Sequence, residues 1–211
     1  MSTDIRNPFF ARVYSRMVEN EDREQVAHRQ EALAGLTGRV FELGAGTGSN
    51  FAQYPSTVTA LVAAEPEPYL RERASEAAVA APVPVDVVDA VADELPFEEG
   101  SFDAAVACLV LCTVPDQGRA LAELRRIVRP GGELRFYEHV HANRQPLKSV
   151  LEFVDRTRLW PTVSGGCHPT RDTLAAIETA GFEVERSRRF PYSPSRLIPS
   201  IPHILGAARR P

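Results

Sequence analysis

Residues 40–55 read VFELGAGTGSNFAQYP: an apolar run ends in Glu42, and Gly44, Gly46 and Gly48 follow at every second position. Glycines after a strand let backbone approach a bound nucleotide closely, and the flanking residues decide which nucleotide. A triphosphate loop needs a lysine straight after its last glycine. Gly48 is followed by Ser49, so a triphosphate is excluded. A dinucleotide loop needs GxGxxG, with the pyrophosphate against a helix N-terminus. Here the spacing is GxGxG, Ser49 takes the third glycine's place, and Glu42 puts a carboxylate where a diphosphate would sit. That carboxylate suits a cation. The next acid at a strand end, Glu65, follows Gly44 by about twenty residues, the separation at which a carboxylate accepts both ribose hydroxyls of an adenosine. These residues describe a ligand with an adenosine end, a cationic end and no phosphate, as S-adenosylmethionine has.

The elements that must hold these residues alternate between strand and helix. GRVFEL, TVTALVAAE, APVPVDVVDA, FDAAVACLVL, ELRFYEHV, FEVERSRRF and SIPHILGAARR read as strands. Residues 5–34 read as one helix that Gly35 and Gly38 stop, and SNFAQYP as a helix opening after the glycines. PEPYLRERASEAA, PDQGRALAELRRIV and TRDTLAAIETAGF are further helices, the last capped by Asp172 or Thr170; RPGG ends the second of them. A helical stretch containing Trp160 follows ELRFYEHV. The expected fold is α/β: a Rossmann-like, seven-stranded, mostly parallel sheet with helices on both faces and an antiparallel last strand. Residues 1–37 are expected to form an N-terminal helical lid and residues 38–211 the main domain. Phe9, Phe10 and Tyr14 would then lie over the ligand.

FELGAGTGSNF, VAAEPEPYL, DELPFEEGSFDAAVACLVLCTVPD and IVRPGGELRFYEHV together resemble the ordered motifs of class I S-adenosylmethionine-dependent methyltransferases. The resemblance runs over residues 38–208 and points to the branch of ubiquinone/menaquinone and phosphatidylethanolamine methyltransferases. LVLCTVPDQ, GCHPTRDTLAAIETAGF and PHILGAA are more similar still to animal proteins that methylate aliphatic thiols. The resemblance implies that Glu42 orders the loop and reaches the cofactor's ammonium, while Gly44 and Gly46 admit its methionine part. Ala45, Asn50 and Phe51 complete that wall, and Tyr14 touches the cofactor from the lid. Glu65 would hold the ribose, with Pro66 against the adenine. The family's adenine-binding aspartate falls on Val91, a departure that leaves the contact to Asp93 and the backbone of Ala92. Cys108 and Leu109 would flank the transferable methyl.

Towards the acceptor, His139 follows the fifth strand and is a candidate general base; a structural pairing with Glu138 is the other reading. Cys112, His168 and Arg171 are candidate acceptor contacts, although Arg171 could equally brace the sheet. The three cysteines, Cys108, Cys112 and Cys167, could meet as a Cys₃ metal site. With neither a CxxC pair nor a histidine cluster, the sequence assigns no metal. The same cysteines point to a reducing, cytoplasmic setting. Net charge is −4, and Lys148 is the only lysine among 24 basic residues, which are scattered among acids. No basic groove for nucleic acid is expected. No apolar run reaches the roughly 20 residues a membrane span needs. The expected activity is methyl transfer to a small molecule, a thiol foremost, with amine, quinone-like or lipid-headgroup acceptors behind. The competing readings are a non-catalytic module that binds S-adenosylmethionine to regulate, and an NAD-dependent oxidoreductase that the GxGxG spacing opposes.

Overall fold

The computed structural model describes residues 8–18, 21–142, 145–157, 165–193 and 200–211. Its strands are β1 (Gly38–Leu43), β2 (Val58–Ala64), β3 (Val85–Val88), β4 (Phe102–Cys108), β5 (Val128–His139), β6 (Glu183–Tyr192) and β7 (Ile201–Arg209). They form one seven-stranded sheet in the order β3-β2-β1-β4-β5-β7-β6. The pairs from β3 to β5 are parallel, and β7 runs antiparallel to both β5 and β6. The helices are α1 (Pro8–Val18), α2 (Arg23–Leu33), α3 (Pro68–Ala78), α4 (Gln117–Ile127), α5 (Leu147–Arg156) and α6 (Thr173–Thr179).

Successive side chains of a strand point to opposite faces, so each strand feeds two cores. Phe41, Leu43, Ala105, Ala107 and Phe136 pack on one face against Leu121, Leu124 and Ile127 of α4 and Ile177 of α6. Val40, Ala104, Val106 and Tyr137 pack on the other against Ala32 and Leu33 of α2 and Ala74 of α3. Cover on both faces is why FDAAVAC is apolar throughout rather than alternating. The strand order reverses direction between β1 and β4. In sheets of this type ligands bind beyond the C-terminal strand ends at that switch point.

Three boundaries differ from the sequence reading. The helix expected over 5–34 is two: Asp22 accepts a hydrogen bond from the Gln25 N–H and starts α2 afresh. SNFAQYP forms only a single 3₁₀ turn, Phe51–Gln53. RPGG does not separate α4 from the fifth strand but lies inside β5, where the register against β4 shifts. α2 belongs to the body of the sheet; of the expected lid, α1 is the part that reaches the glycine loop. The side chains of Phe9 and Phe10, and Trp160 with part of the helical stretch expected around it, lie outside the described residues. Among the described residues no helix is long and apolar enough to cross a membrane.

Candidate active site

The glycine loop leaves β1 at Leu43 and is pinned by the Ala45 N–H donating to the Ala64 carbonyl at the end of β2. Its first two glycines illustrate why no side chain fits there. Gly44 and Gly46 both have positive φ, 67° and 57°. A Cβ at Gly44 would collide with the Val110 side chain, and one at Gly46 would come within 3.2 Å of the Tyr14 ring and hydroxyl. Tyr14 of α1 therefore lies directly over the loop. Its buried phenol is pushed up to about 12.

Glu42 is buried at the tip of β1 and accepts from Asn50 Nδ2 (2.9 Å) and the Tyr54 hydroxyl (2.7 Å). Asn50 in turn accepts from Arg29 of α2 (2.9 Å), and Arg29 is paired bidentately with Glu21. A chain of side chains thus runs from α2 through the loop to β1. Burial lifts the Glu42 carboxyl to about 7 against the pull of its two donors. Glu65, at the tip of β2, is also buried and accepts from the Gly46 and Glu67 N–H groups, each at 2.9 Å. Burial raises it to about 7 as well. A carboxylate offers about four acceptor positions, so two remain for a ligand's hydroxyls. Pro66 follows it, and Arg71 ties this corner by donating to the Glu65 and Pro66 carbonyls and pairing with Asp89. Val91 and Asp93 are exposed in the loop after β3, and Ala92 is packed against the core. Phe51 is buried behind the loop and Cys108 ends β4, its thiol raised to about 12 by burial.

Beyond β4 the chain turns through Leu109, whose φ of 57° is left-handed. That turn aims the N–H groups of Val110, Leu111 and Cys112 at the buried Glu138 carboxylate, at 2.9, 2.8 and 3.2 Å. Burial pushes the Glu138 carboxyl up, and the three donors pull it back. Glu138 is thus committed to the β4 loop rather than to His139. The Nδ1 of His139 instead faces two thiols, Cys112 Sγ and Cys167 Sγ, each at 3.5 Å. Burial opposes charge on His139, but contact with the Cys112 thiol outweighs it and raises the imidazole. Contact with Cys167, then burial, raises Cys112.

The Cys167 segment is clamped in place. The His168 N–H donates to the Cys112 carbonyl (2.8 Å), the His168 ring pairs with Asp155 of α5 (2.7 Å), and Thr170 bonds the same carboxylate. Arg171 donates to the Leu111 and Val114 carbonyls, both at 2.7 Å, and so ties the loop between β4 and α4 rather than the sheet. Arg29, Tyr54 and the pairing of Cys167 with His139 had no counterpart in the sequence reading. A cavity of about 280 Å³, lined by His141, Leu151, Thr170 and Asp172 among others, lies between the end of β5 and α5.

The cradle fits a nucleoside with a cationic tail: buried acids at the tips of β1 and β2, and a loop too close-packed for side chains. The model of a methyltransferase domain matches residues 41–136. Human thiol S-methyltransferase TMT1B is 34% identical over 202 residues, covering 92% of this chain and 80% of that protein. The chain belongs to the class I S-adenosylmethionine-dependent methyltransferases. It is a methyltransferase, and S-adenosylmethionine is its cofactor. A methyltransferase-like protein of Bacillus halodurans superposes with TM-score 0.72 at 17% identity, covering 89% of this chain and 99% of that one. The [4+2]-cyclase SpnF superposes with TM-score 0.69 at 21% identity, covering 89% and 81%. Methyltransferase and cyclase share this fold, so the acceptor has to be argued from the site.

Proposed function

We propose that this methyltransferase acts on the sulfur of a small thiol. The observation that carries the reading is the likeness to a thiol S-methyltransferase along nearly the whole chain. The groups at the ends of β4 and β5 support it, because they are two thiols and an imidazole. Glu65 would hold the ribose hydroxyls, and Pro66, Ala92 and Asp93 the adenine edge. Gly44, Ala45, Gly46 and Glu42, backed by Asn50 and Phe51, would hold the amino-acid part, with Tyr14 above. Cys108 and Leu109 would flank the reacting centre.

Bound there, S-adenosylmethionine supplies a methyl group on a sulfonium, an electrophile that needs no activation by the protein. The chain's part is to position the acceptor in line, exclude water and help a proton leave. A thiol with pKa about 8.5 needs little help at neutral pH. Glu138 is occupied by three N–H donors, which leaves His139 as the group that assists deprotonation. Purified protein offered a thiol, an amine and a phenol should add one CH₂ to the thiol fastest, read by mass spectrometry. Faster methylation of the amine or the phenol would replace this proposal.

A further inference from the structure

We propose that Cys112, His139 and Cys167 bind a zinc-type metal ion whose open fourth position takes the sulfur of the acceptor; the second half of this rests on the thiol reading above. The three candidate donor atoms, two Sγ and one Nδ1, lie within 4.8 Å of one another. Zinc bonds of about 2.3 Å to sulfur and 2.05 Å to nitrogen, at the tetrahedral angle, put sulfur and nitrogen about 3.6 Å apart. Both observed separations are 3.5 Å. Simple hydrogen bonding accounts for this arrangement less well. Nδ1 of a neutral imidazole offers either one lone pair or one N–H, so it makes one good hydrogen bond between the two thiols. A metal satisfies all three atoms at once.

The donor set is soft, free of oxygen, and suits zinc over magnesium or calcium. Each donor is held by other contacts. Glu138 fixes the backbone at Cys112, and the His168 N–H binds the Cys112 carbonyl next to Cys167. His203 packs edge-on against His139 with ring centroids 4.5 Å apart, its own Nδ1 bonded to the Ile201 carbonyl. Such supporting contacts set ligand orientation in metal sites. Three protein ligands leave one position for water or substrate, the pattern of catalytic rather than structural zinc. An acceptor thiol would displace that water. Its S–H bond breaks, the sulfur electron pair forms the metal–sulfur bond, and the proton passes to solvent. His139 then promotes deprotonation as a ligand rather than as a base.

The test is titration of the reduced, chelator-treated full chain with cobalt(II). A tetrahedral visible spectrum with thiolate-to-cobalt charge transfer should saturate at one ion per chain and bleach with zinc. Adding 2-mercaptoethanol should change it. Cys112→Ser and Cys167→Ser should each remove part of the charge-transfer intensity, and Cys108→Ser should not. S-adenosylhomocysteine binding by calorimetry checks that each variant is folded. As a second measurement on unmutated protein, zinc should protect Cys112 and Cys167 from alkylation. Folded protein without the band, a band that survives both substitutions, or full-rate thiol methylation by metal-free protein would overturn the proposal. A cobalt spectrum that responds to thiol, without any methylated thiol product, would support the metal site and remove the proposed reaction instead.

Discussion

The tips of β1 and β2 and the tips of β4 and β5 lie along the same edge of the parallel sheet with opposite chemistry. On the first side the polar groups are Glu42 and Glu65, oxygen acids whose bonds go to amide, phenol and backbone N–H donors. On the second side the acid, Glu138, is turned away into the β4 loop, and what faces its neighbours is sulfur and imidazole. The difference separates two tasks. Hydroxyls and an ammonium are recognised by fixed, directional oxygen acceptors. The second side offers polarisable sulfur and imidazole in place of oxygen acids. Recognition of the cofactor and handling of the acceptor can therefore be broken independently.

The largest effect is expected for Glu65→Ala. If Glu65 holds the ribose as proposed, the substitution removes two charge-assisted bonds of about 1.5–3 kcal/mol each, so affinity should fall at least a hundredfold. Calorimetry with S-adenosylhomocysteine measures this, and unchanged affinity would remove Glu65 from the cradle. Arg29→Met should come next. It leaves Glu21 and Asn50 without their buried partner and should cost about 3–5 kcal/mol in chemical denaturation. A loss well below that would show that the α2-to-β1 network is dispensable.

His139→Ala acts on the other side. Turnover should drop about a hundredfold while cofactor affinity stays the same. A parallel loss of both would erase the separation between the two sides. The smallest effect is with pH. Glu65 is raised to about 7, so on acidification below 7 it protonates in the ligand-free protein. Affinity for the cofactor should then weaken by up to about tenfold per pH unit below 7 and be flat above it. Stability of the ligand-free protein has the opposite sign. It falls as pH rises from the ordinary carboxylate range to about 7, because there the folded state holds the extra proton. Equal affinity at pH 6 and pH 8 would mean that Glu65 is ionised throughout.

Much of the first side is legible in the sequence because it is local. Glu42 and the glycines are contiguous, and Glu65 stands at the strand-to-helix spacing that fold geometry imposes. Even the break before α2 is written there, as Asp22 followed three places later by Gln25, a capping pattern hidden inside a continuous run of charged residues. Arg29 is different: a charged residue in a charged helix carries no sign that it is buried. The second side is assembled from three separated segments. Cys167 meets Cys112 and His139 through contacts far apart in sequence, the His168 N–H on the Cys112 carbonyl and His168 and Thr170 on Asp155, which no periodicity encodes. RPGG stays within β5 for the same reason: Val128 and Glu133 on either side of it pair with β4, while the Gly131 N–H donates to the Arg210 carbonyl and the Arg210 N–H to the Gly132 carbonyl.

The left-handed backbone at Leu109 has a consequence for how the acceptor binds. A non-glycine residue in that conformation is disfavoured by about 1–2 kcal/mol. In return, three successive amides converge on a carboxyl group that the chain itself provides, so residues 110–112 are held by contacts within the chain. Their conformational entropy is lost during folding and does not weigh against the acceptor when it arrives. Preorganisation of this kind predicts an acceptor site that binds with little change in heat capacity from loop ordering, and one that a small, flexible acceptor can occupy without having to shape it.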